Sequence, residues 1–468
     1  MKKILAILLC LILVTGLCAC GGDGKKDDGG KKDITSADVD AATFEGLKFK
    51  PNKDLDFGGA TVRFGRDSNI PKRGNSAHDD RELDIKEAIE AKYNVKIEYI
   101  SYSNEQNFLE NITLKHAGND VWADLVFATT PHYLQALTIE GIFRPLDDYI
   151  DYSSDRYKIT DTATKYVDGK HYSYYPAETD AGYFIYYNTA LIAENNCDDP
   201  RELYDAGEWD WDAFEKIAKA CTGSKNGKTI YGLAGSNLLD GLMASNGMPV
   251  ISADVKNGTA KCNLYTEEGK KVLEFVRQLS FVDKAVDGTY GSHNGIETFN
   301  NSFAAMLIGP QYYGSHLVQT GIPFEMVPLP LGPDTKTYTN VREYCYCYAI
   351  GANSKFKTED LIQLALELKR NDPAIEGTYR DPSRDGKLEL FIEQYVDKGN
   401  HYYDETQAEF VFDFINDKDT VEYIDWNTTN LKNIITKNIF TPIYKGEDVR
   451  SHLTSVESGI NTALKDQF

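Results

Sequence analysis

The sequence predicts an α/β protein with a mostly parallel sheet, organised in two successive α/β regions. Three observations carry this. The chain has 468 residues, too many for a single hydrophobic core, so two or three domains are expected. Its apolar residues alternate between short strand-like runs and stretches of helical period along most of the length. With 41% apolar and 26% charged residues, the composition is that of a globular chain, and neither a disordered nor a multi-spanning one.

The elements follow in order. Lys2 and Lys3 precede an unbroken apolar run over residues 4–14, too short to span a bilayer at ~1.5 Å per residue, which is the pattern of a secretion signal. It closes on Leu17-Cys18-Ala19-Cys20, which resembles the bacterial lipobox, where cleavage before the Cys leaves a thiol that carries diacylglycerol. Cys18 stands where a small residue such as Ala, Ser or Thr is usual. The resemblance implies lipidation at Cys20; an ordinary signal peptide with an incidental Cys is the alternative. Residues from Gly21 to about 43 are rich in Gly, Lys and Asp and make a tether reaching about 25–30 Å as a random coil.

From Ala60 a strand at about 60–65, a helix at about 79–93 and a strand with Val95, Ile97 and Tyr99 form a βαβ unit. A helix over about 105–118, the run Leu125-Val126-Phe127-Ala128 and a helix over about 132–140 extend it. The second region opens with a strand at 184–187 and a helix whose face carries Trp211, Phe214, Ala218 and Cys221, with Gly223 expected as its C′ residue. A strand at about 229–234, a helix over 266–279 and the apolar run 303–308 follow. Two strands within 323–350 are expected to join through a Gly-Pro-Asp turn, and the last hundred residues read mainly as helix, with Leu361, Leu364, Ala365 and Leu368 behind a Thr358 cap. No internal repeat is visible.

Charge narrows the function. With 72 acidic against 50 basic residues, a formal charge of −22 repels phosphate backbones, so nucleic acid is not an expected partner. Five cysteines remain beyond Cys20, namely Cys197, Cys221, Cys262, Cys345 and Cys347; an odd, scattered set is no disulfide framework, and free buried thiols are the expectation. Catalytic motifs of the HExxH, GxSxG and CxxC kinds do not occur. Gly223-Ser224-Lys225-Asn226-Gly227-Lys228-Thr229 has one residue too few for a P-loop and lies between a helix and a strand, the reverse of the order a phosphate needs, so it reads as a polar turn. Asp381-Pro382-Ser383-Arg384-Asp385-Gly386 echoes a calcium loop, but its twelfth position is Ile392 with Glu393 one residue late, and a turn into a helix is the plainer reading. The acid pairs Asp79-Asp80, Asp147-Asp148 and Asp198-Asp199 lack the separation glycoside hydrolysis requires and read as partners of helix starts. No metal or cofactor is expected.

Ligands of α/β sheets collect at the carboxyl ends of strands. Gly65-Arg66-Asp67-Ser68, Thr129-Thr130-Pro131-His132 and Gly309-Pro310-Gln311-Tyr312-Tyr313 each follow a predicted strand, so three distant segments are expected to meet at one sheet edge and form a cleft.

Over most of residues 60–440 the chain resembles the extracellular solute-binding proteins of family 1, the carbohydrate class. The landmarks run in order through residues 89–97, 123–127 and 141–149, then Tyr186-Tyr187-Asn188, Trp211-Asp212-Ala213-Phe214, Ala304-Ala305-Met306-Leu307-Ile308-Gly309-Pro310 and Val327-Pro328-Leu329-Pro330. The resemblance implies a type II periplasmic-binding-protein fold with discontinuous lobes, the chain crossing between them near 180–185 and again around 330–342. The expected division is 1–19 as signal, 20–56 as lipidated Cys and tether, 57–181 with 290–335 as the N-terminal lobe, and 182–289 with 336–468 as the C-terminal lobe. It further implies no enzyme but a monomeric, lipid-anchored protein on the outer face of the cell membrane, which captures a carbohydrate and presents it to the transmembrane subunits of an ABC permease. Carried over by position, Arg66 and Asp67 bind hydroxyls, Thr130 and His132 lie in the third-strand loop, and Asp180 sits near the first crossing. Gln311 stands where relatives have a stacking Trp, so Tyr312 or Tyr313 is expected to replace it, and Trp426, on a late helix, is a second stacking ring. Two alternatives remain open from the residues: a secreted carbohydrate-active enzyme, and a binding protein for a non-sugar ligand such as a polyamine or peptide.

Overall fold

The computed structural model describes residues 43–466 except 67–69, 76, 102–104, 131–133, 155, 158–160, 167, 176–181, 255–256, 289–293, 343–344, 371–383, 393–394, 397–403, 418–420 and 428. The signal, Cys20, most of the tether and residues 381–383 of the calcium-loop echo lie outside the described residues. In chain order the strands are β1 Thr61–Arg66, β2 Lys96–Ser101, β3 Leu125–Thr130, β4 Ser173–Tyr174, β5 Tyr183–Asn188, β6 Gly223–Lys225, β7 Lys228–Ala234, β8 Ile251–Asp254, β9 Thr259–Cys262, β10 Ala304–Pro310, β11 Phe324–Pro328, β12 Thr339–Arg342, β13 Cys345–Ile350 and β14 Val421–Ile424.

They form two five-stranded sheets, ordered β2-β1-β3-β13-β4 and β11-β5-β10-β7-β6. In the first, β1 runs parallel to β2 and β3, as a βαβ unit requires, and β13 returns antiparallel against β3. In the second, only the β10–β7 pair is parallel, so the sheets are mixed rather than mostly parallel. The chain passes from the first sheet to the second between β4 and β5, and returns between β11 and β13. It passes again between the helices Thr358–Arg370 and Glu405–Asn416, which pack on the first and second sheets respectively. The strands on either side of the second passage lie in the opposite lobes from those expected. β10 and β11 pair with β5, which puts segment 304–328 with the second sheet, while β13 pairs with β3 in the first. The expected division also changes lobe three times, so the difference lies in which segments join which sheet.

Period-two burial explains why the sheets sit where they do. On β3, Leu125 enters a core with Val62, Phe64, Leu361 and Leu364, while Val126 and Ala128 face the opposite side. Every residue of β5 and β10 is buried, as expected of central strands covered on both faces. Tyr183, Ile185 and Tyr187 point into a core that continues to Val126 and Trp426, so apolar packing links the two sheets.

Local chemistry sets the ends of elements. Asp210 caps the helix Trp211–Cys221 by accepting from the Ala213 amide at 3.0 Å, and Trp211, Phe214, Ile217, Ala218 and Cys221 are its buried stripe. Its C-terminus differs from expectation: Thr222 turns extended and donates its hydroxyl to the Ala218 carbonyl at 2.8 Å, so Gly223 begins β6 instead of serving as a left-handed cap. The segment that echoed a P-loop is the β6–β7 hairpin, turned by Asn226 and Gly227 at φ 55° and 77°. Gly332-Pro333-Asp334 joins no hairpin, because β11 and β12 belong to different sheets. The Thr358 hydroxyl, expected to cap its helix, instead accepts from Arg144 at 3.0 Å.

Candidate functional site

The carboxyl ends of β1 and β3 lie side by side, Arg66 opposite Phe127, so two of the three predicted loops leave adjacent strands of one sheet. The third does not: β10 carries Gln311, Tyr312 and Tyr313 at its end in the second sheet, where the Gln311 amide donates to the Gly182 carbonyl at 3.2 Å beside the first crossing.

At the first edge, alternate residues of neighbouring strands share a face. Tyr99, Phe64, Tyr348, Phe127 and Tyr346 form a run of aromatic contacts across the sheet. Ring centroids are 5.4 Å apart for Phe64–Tyr99, 6.1 Å for Phe64–Tyr348, 4.6 Å for Phe127–Tyr348 and 5.3 Å for the stacked Phe127–Tyr346 pair. Part of this face lines a cavity of about 270 Å³ that opens between the helices Ala77–Tyr93 and Thr358–Arg370. Arg66 lies in its wall, ion-paired with Glu82 from the first of those helices and held with its guanidinium carbon 5.3 Å from the centre of the Tyr99 ring. Burial drives the Tyr99 hydroxyl far above its ordinary range, with Glu82 adding to the effect, so Tyr99 is a neutral donor at any physiological pH. An aromatic wall with a guanidinium, a carboxylate and a phenol within reach suits a ligand that combines C–H faces with polar groups.

Of the predicted site residues, Arg66 therefore lines a cavity. Thr130 ends β3 opposite Cys345, while Asp67, His132 and Asp180 lie outside the described residues. Gln311 is buried, and its carbonyl accepts from the Tyr186 hydroxyl at 2.9 Å. Tyr313 is 2% exposed and packs over Gly309, where a Cβ would lie 2.2 Å from the ring; Tyr312 is half-buried and meets Tyr313 edge-on at 5.1 Å. Trp426 lies in the connection after β14, not on a helix, and is 4% exposed, enclosed by protein. Glu82, Tyr99, Phe127, Tyr346 and Tyr348 are assigned no role in a site from the sequence. Their signal was the alternation of Phe64 with Arg66, Ile97 with Tyr99 and Leu125 with Phe127 at the ends of adjacent strands. The acid pairs prove structural: Asp147 and Asp161 grip the two ring nitrogens of His171 at 2.7 and 2.9 Å, Asp80 accepts from the Gly74 amide, and Asp199 caps the helix Pro200–Asp205.

Beside Trp426, the buried Asp425 carboxylate accepts from the amides of Val250, Ile251 and Asn427 at 2.8, 2.9 and 3.1 Å. Burial, reinforced by Asp240, pushes its carboxyl up to about 7 from 3.8, against the pull of those amides and Lys432. The folded chain thus holds this proton more tightly than the unfolded one. The group's contribution to stability is therefore most favourable below about pH 4 and falls as pH rises to about 7. Comparison with Asp425→Asn tests this. The Tm advantage of the natural residue should shrink between pH 5 and pH 8, and an advantage that grew would refute it.

Two sheets joined by three crossings, with an aromatic and charged cavity at the carboxyl edge of one of them, define a two-lobed binding protein of the type II periplasmic class. The profile of the bacterial extracellular solute-binding protein family matches residues 84–386, and the chain belongs to that family. Solved structures share the fold. An ABC substrate-binding protein of Listeria monocytogenes in complex with cycloalternan is 16% identical, with a TM-score of 0.59 over 87% of this chain and 99% of that one. The maltose/maltodextrin-binding domain of Bdellovibrio bacteriovorus bound to maltotriose is 17% identical, with a TM-score of 0.54 over 86% and 100%. UgpB of Mycobacterium tuberculosis in complex with glycerophosphocholine is 16% identical, with a TM-score of 0.57 over 87% and 99%. No curated protein matches the sequence. Membership in a solute-binding family makes the chain a binding protein, and the alternative of a secreted carbohydrate-active enzyme falls with it.

Proposed function

We propose that the protein is the lipid-anchored receptor of an ABC importer, taking up a sugar or oligosaccharide between its two lobes at the cell surface and delivering it to the permease. The observation that carries this is membership in the solute-binding family together with the cavity at the edge of the first sheet, where Arg66 and Glu82 meet the rings of Tyr99 and Phe127. Sugars offer C–H faces to such rings and hydroxyls to such charges. Fold neighbours bound to cycloalternan and maltotriose support the carbohydrate reading. The apolar segment and Leu17-Cys18-Ala19-Cys20 support the anchor. Within this reading Arg66 is a hydroxyl or anion anchor, and Tyr312 contacts ligand from the second lobe.

A thermal-shift screen of the mature chain against a glycan panel tests it. A true ligand at a hundredfold excess over Kd should stabilise the fold by ~2.7 kcal/mol. Small-angle scattering should then show the lobes closing. A panel that produces no shift while non-sugar solutes do would overturn the sugar assignment. For the anchor, Cys20→Ser should release the protein from membranes or leave an uncleaved precursor, and unchanged fractionation as a mature lipoprotein would reject it.

A further inference from the structure

We propose that the cavity at the edge of the first sheet takes an acidic group, a carboxylate or a phosphate, carried on the sugar; this rests on the sugar-receptor reading above. In a chain with 72 acidic against 50 basic residues, Arg66, Arg81 and Lys369 line the cavity beside one carboxylate, Glu82, among the described residues. The three cations come from three separate elements, β1 and the two helices that flank the opening, so they surround the space instead of forming a stripe along one surface. Arg66 is held at the wall by Glu82 and the face of Tyr99, so its guanidinium is fixed in place. At about 270 Å³ the space lies at the small end of ligand cavities, enough for one substituted ring end and not for an oligosaccharide. The aromatic run beyond it, ending in the exposed Tyr346, takes the next ring.

Calorimetry on the mature chain tests the assignment with matched probes. Galacturonate oligomers, their neutral methyl esters and hexose phosphates are titrated into the natural protein and into Arg81→Gln/Lys369→Gln, whose changes lie at the opening and spare the core. Binding of an acidic probe at least tenfold tighter than its ester, weakened by salt and by the double variant, supports the proposal; uronate or phosphate preference then identifies the source of the charge. Esters or neutral glycans that bind as well as the acids overturn it while leaving the sugar receptor intact. Absence of binding by every acidic probe, with neutral sugars bound or not, also overturns it.

A separate observation concerns the thiols. Cys197 and Cys221 sit with their sulfurs 3.8 Å apart where the turn after the helix Thr189–Glu194 meets the end of the helix Trp211–Cys221. We infer that this pair closes to a disulfide in an oxidising medium, contrary to the expectation of free thiols. Burial pushes the Cys221 thiol up to about 12, so the more exposed Cys197 reacts first. Its thiolate attacks a small-molecule disulfide and releases one thiol. The Cys221 sulfur then attacks Cys197 and expels the second thiol, so two protein thiols are oxidised and one external disulfide is reduced. Equilibration with excess oxidised glutathione should yield a 197–221 linked peptide by mass spectrometry and raise Tm by several degrees over Cys197→Ser. Recovery of both residues alkylated, or capped by glutathione, from a folded protein would overturn the inference.

Discussion

Trp426→Ala is expected to lower the Tm of the ligand-free protein sharply, with a loss of about 3–5 kcal/mol. The indole is 4% exposed, meets Tyr166 at 6.0 Å between ring centroids, and shares a core with Leu431, Ile435 and Ile439. Its backbone amide donates to the Ile251 carbonyl at 3.1 Å, so its segment is tied to β8 from both the main chain and the neighbouring Asp425. Removing the ring opens a cavity where segments of both sheets meet, and a rigid main chain has little means to fill it. Differential scanning calorimetry with and without glycan decides the matter. An unchanged Tm with binding abolished would make Trp426 a ligand platform instead of a core residue.

Gly232→Ala should be comparably damaging although it adds one methyl group. A Cβ at this position in β7 would lie 1.9 Å from the Ala218 carbonyl oxygen, which belongs to the backbone of the covering helix and cannot swing aside. The same spot holds a compact polar joint. The Gly232 amide donates to the Thr222 hydroxyl at 3.0 Å, and that hydroxyl donates to the Ala218 carbonyl. Pushing helix from strand breaks the joint along with the packing, so a cost of about 3 kcal/mol, at the upper end for overpacking, is expected. Gly459→Ala is the control: a Cβ there meets nothing within 4 Å, and its helical position should gain about 0.5–1 kcal/mol. Equal Tm values for the two variants would contradict the steric account.

Much of the fold was legible because its signals are local. Strand β3 announced itself as Leu125-Val126-Phe127-Ala128, the helix Trp211–Cys221 by its apolar spacing, and the β6–β7 turn by Asn226-Gly227. The site was legible in part. Arg66 follows a predicted strand and lines a cavity at the sheet edge, whereas Tyr313 and Trp426, chosen as aromatic rings, are enclosed by protein. A ring that stacks on a sugar and a ring that fills a core have the same composition and the same spacing, and only their neighbours tell them apart.

What the sequence determined by itself is therefore what short-range chemistry dictates: most of the elements, and the solute-binding character carried by an ordered set of landmarks. Tertiary structure alone decided which sheet each strand joins. β10 follows a helix as any parallel strand would, yet it lies against β5 and β7 in the second sheet, and β13 reaches back across 215 residues of chain to pair with β3, because pairing is settled by which buried faces meet. It also decided that Arg66, Glu82 and Tyr99 converge on one cavity and that Cys197 and Cys221 touch, since these contacts join segments with no local periodicity in common.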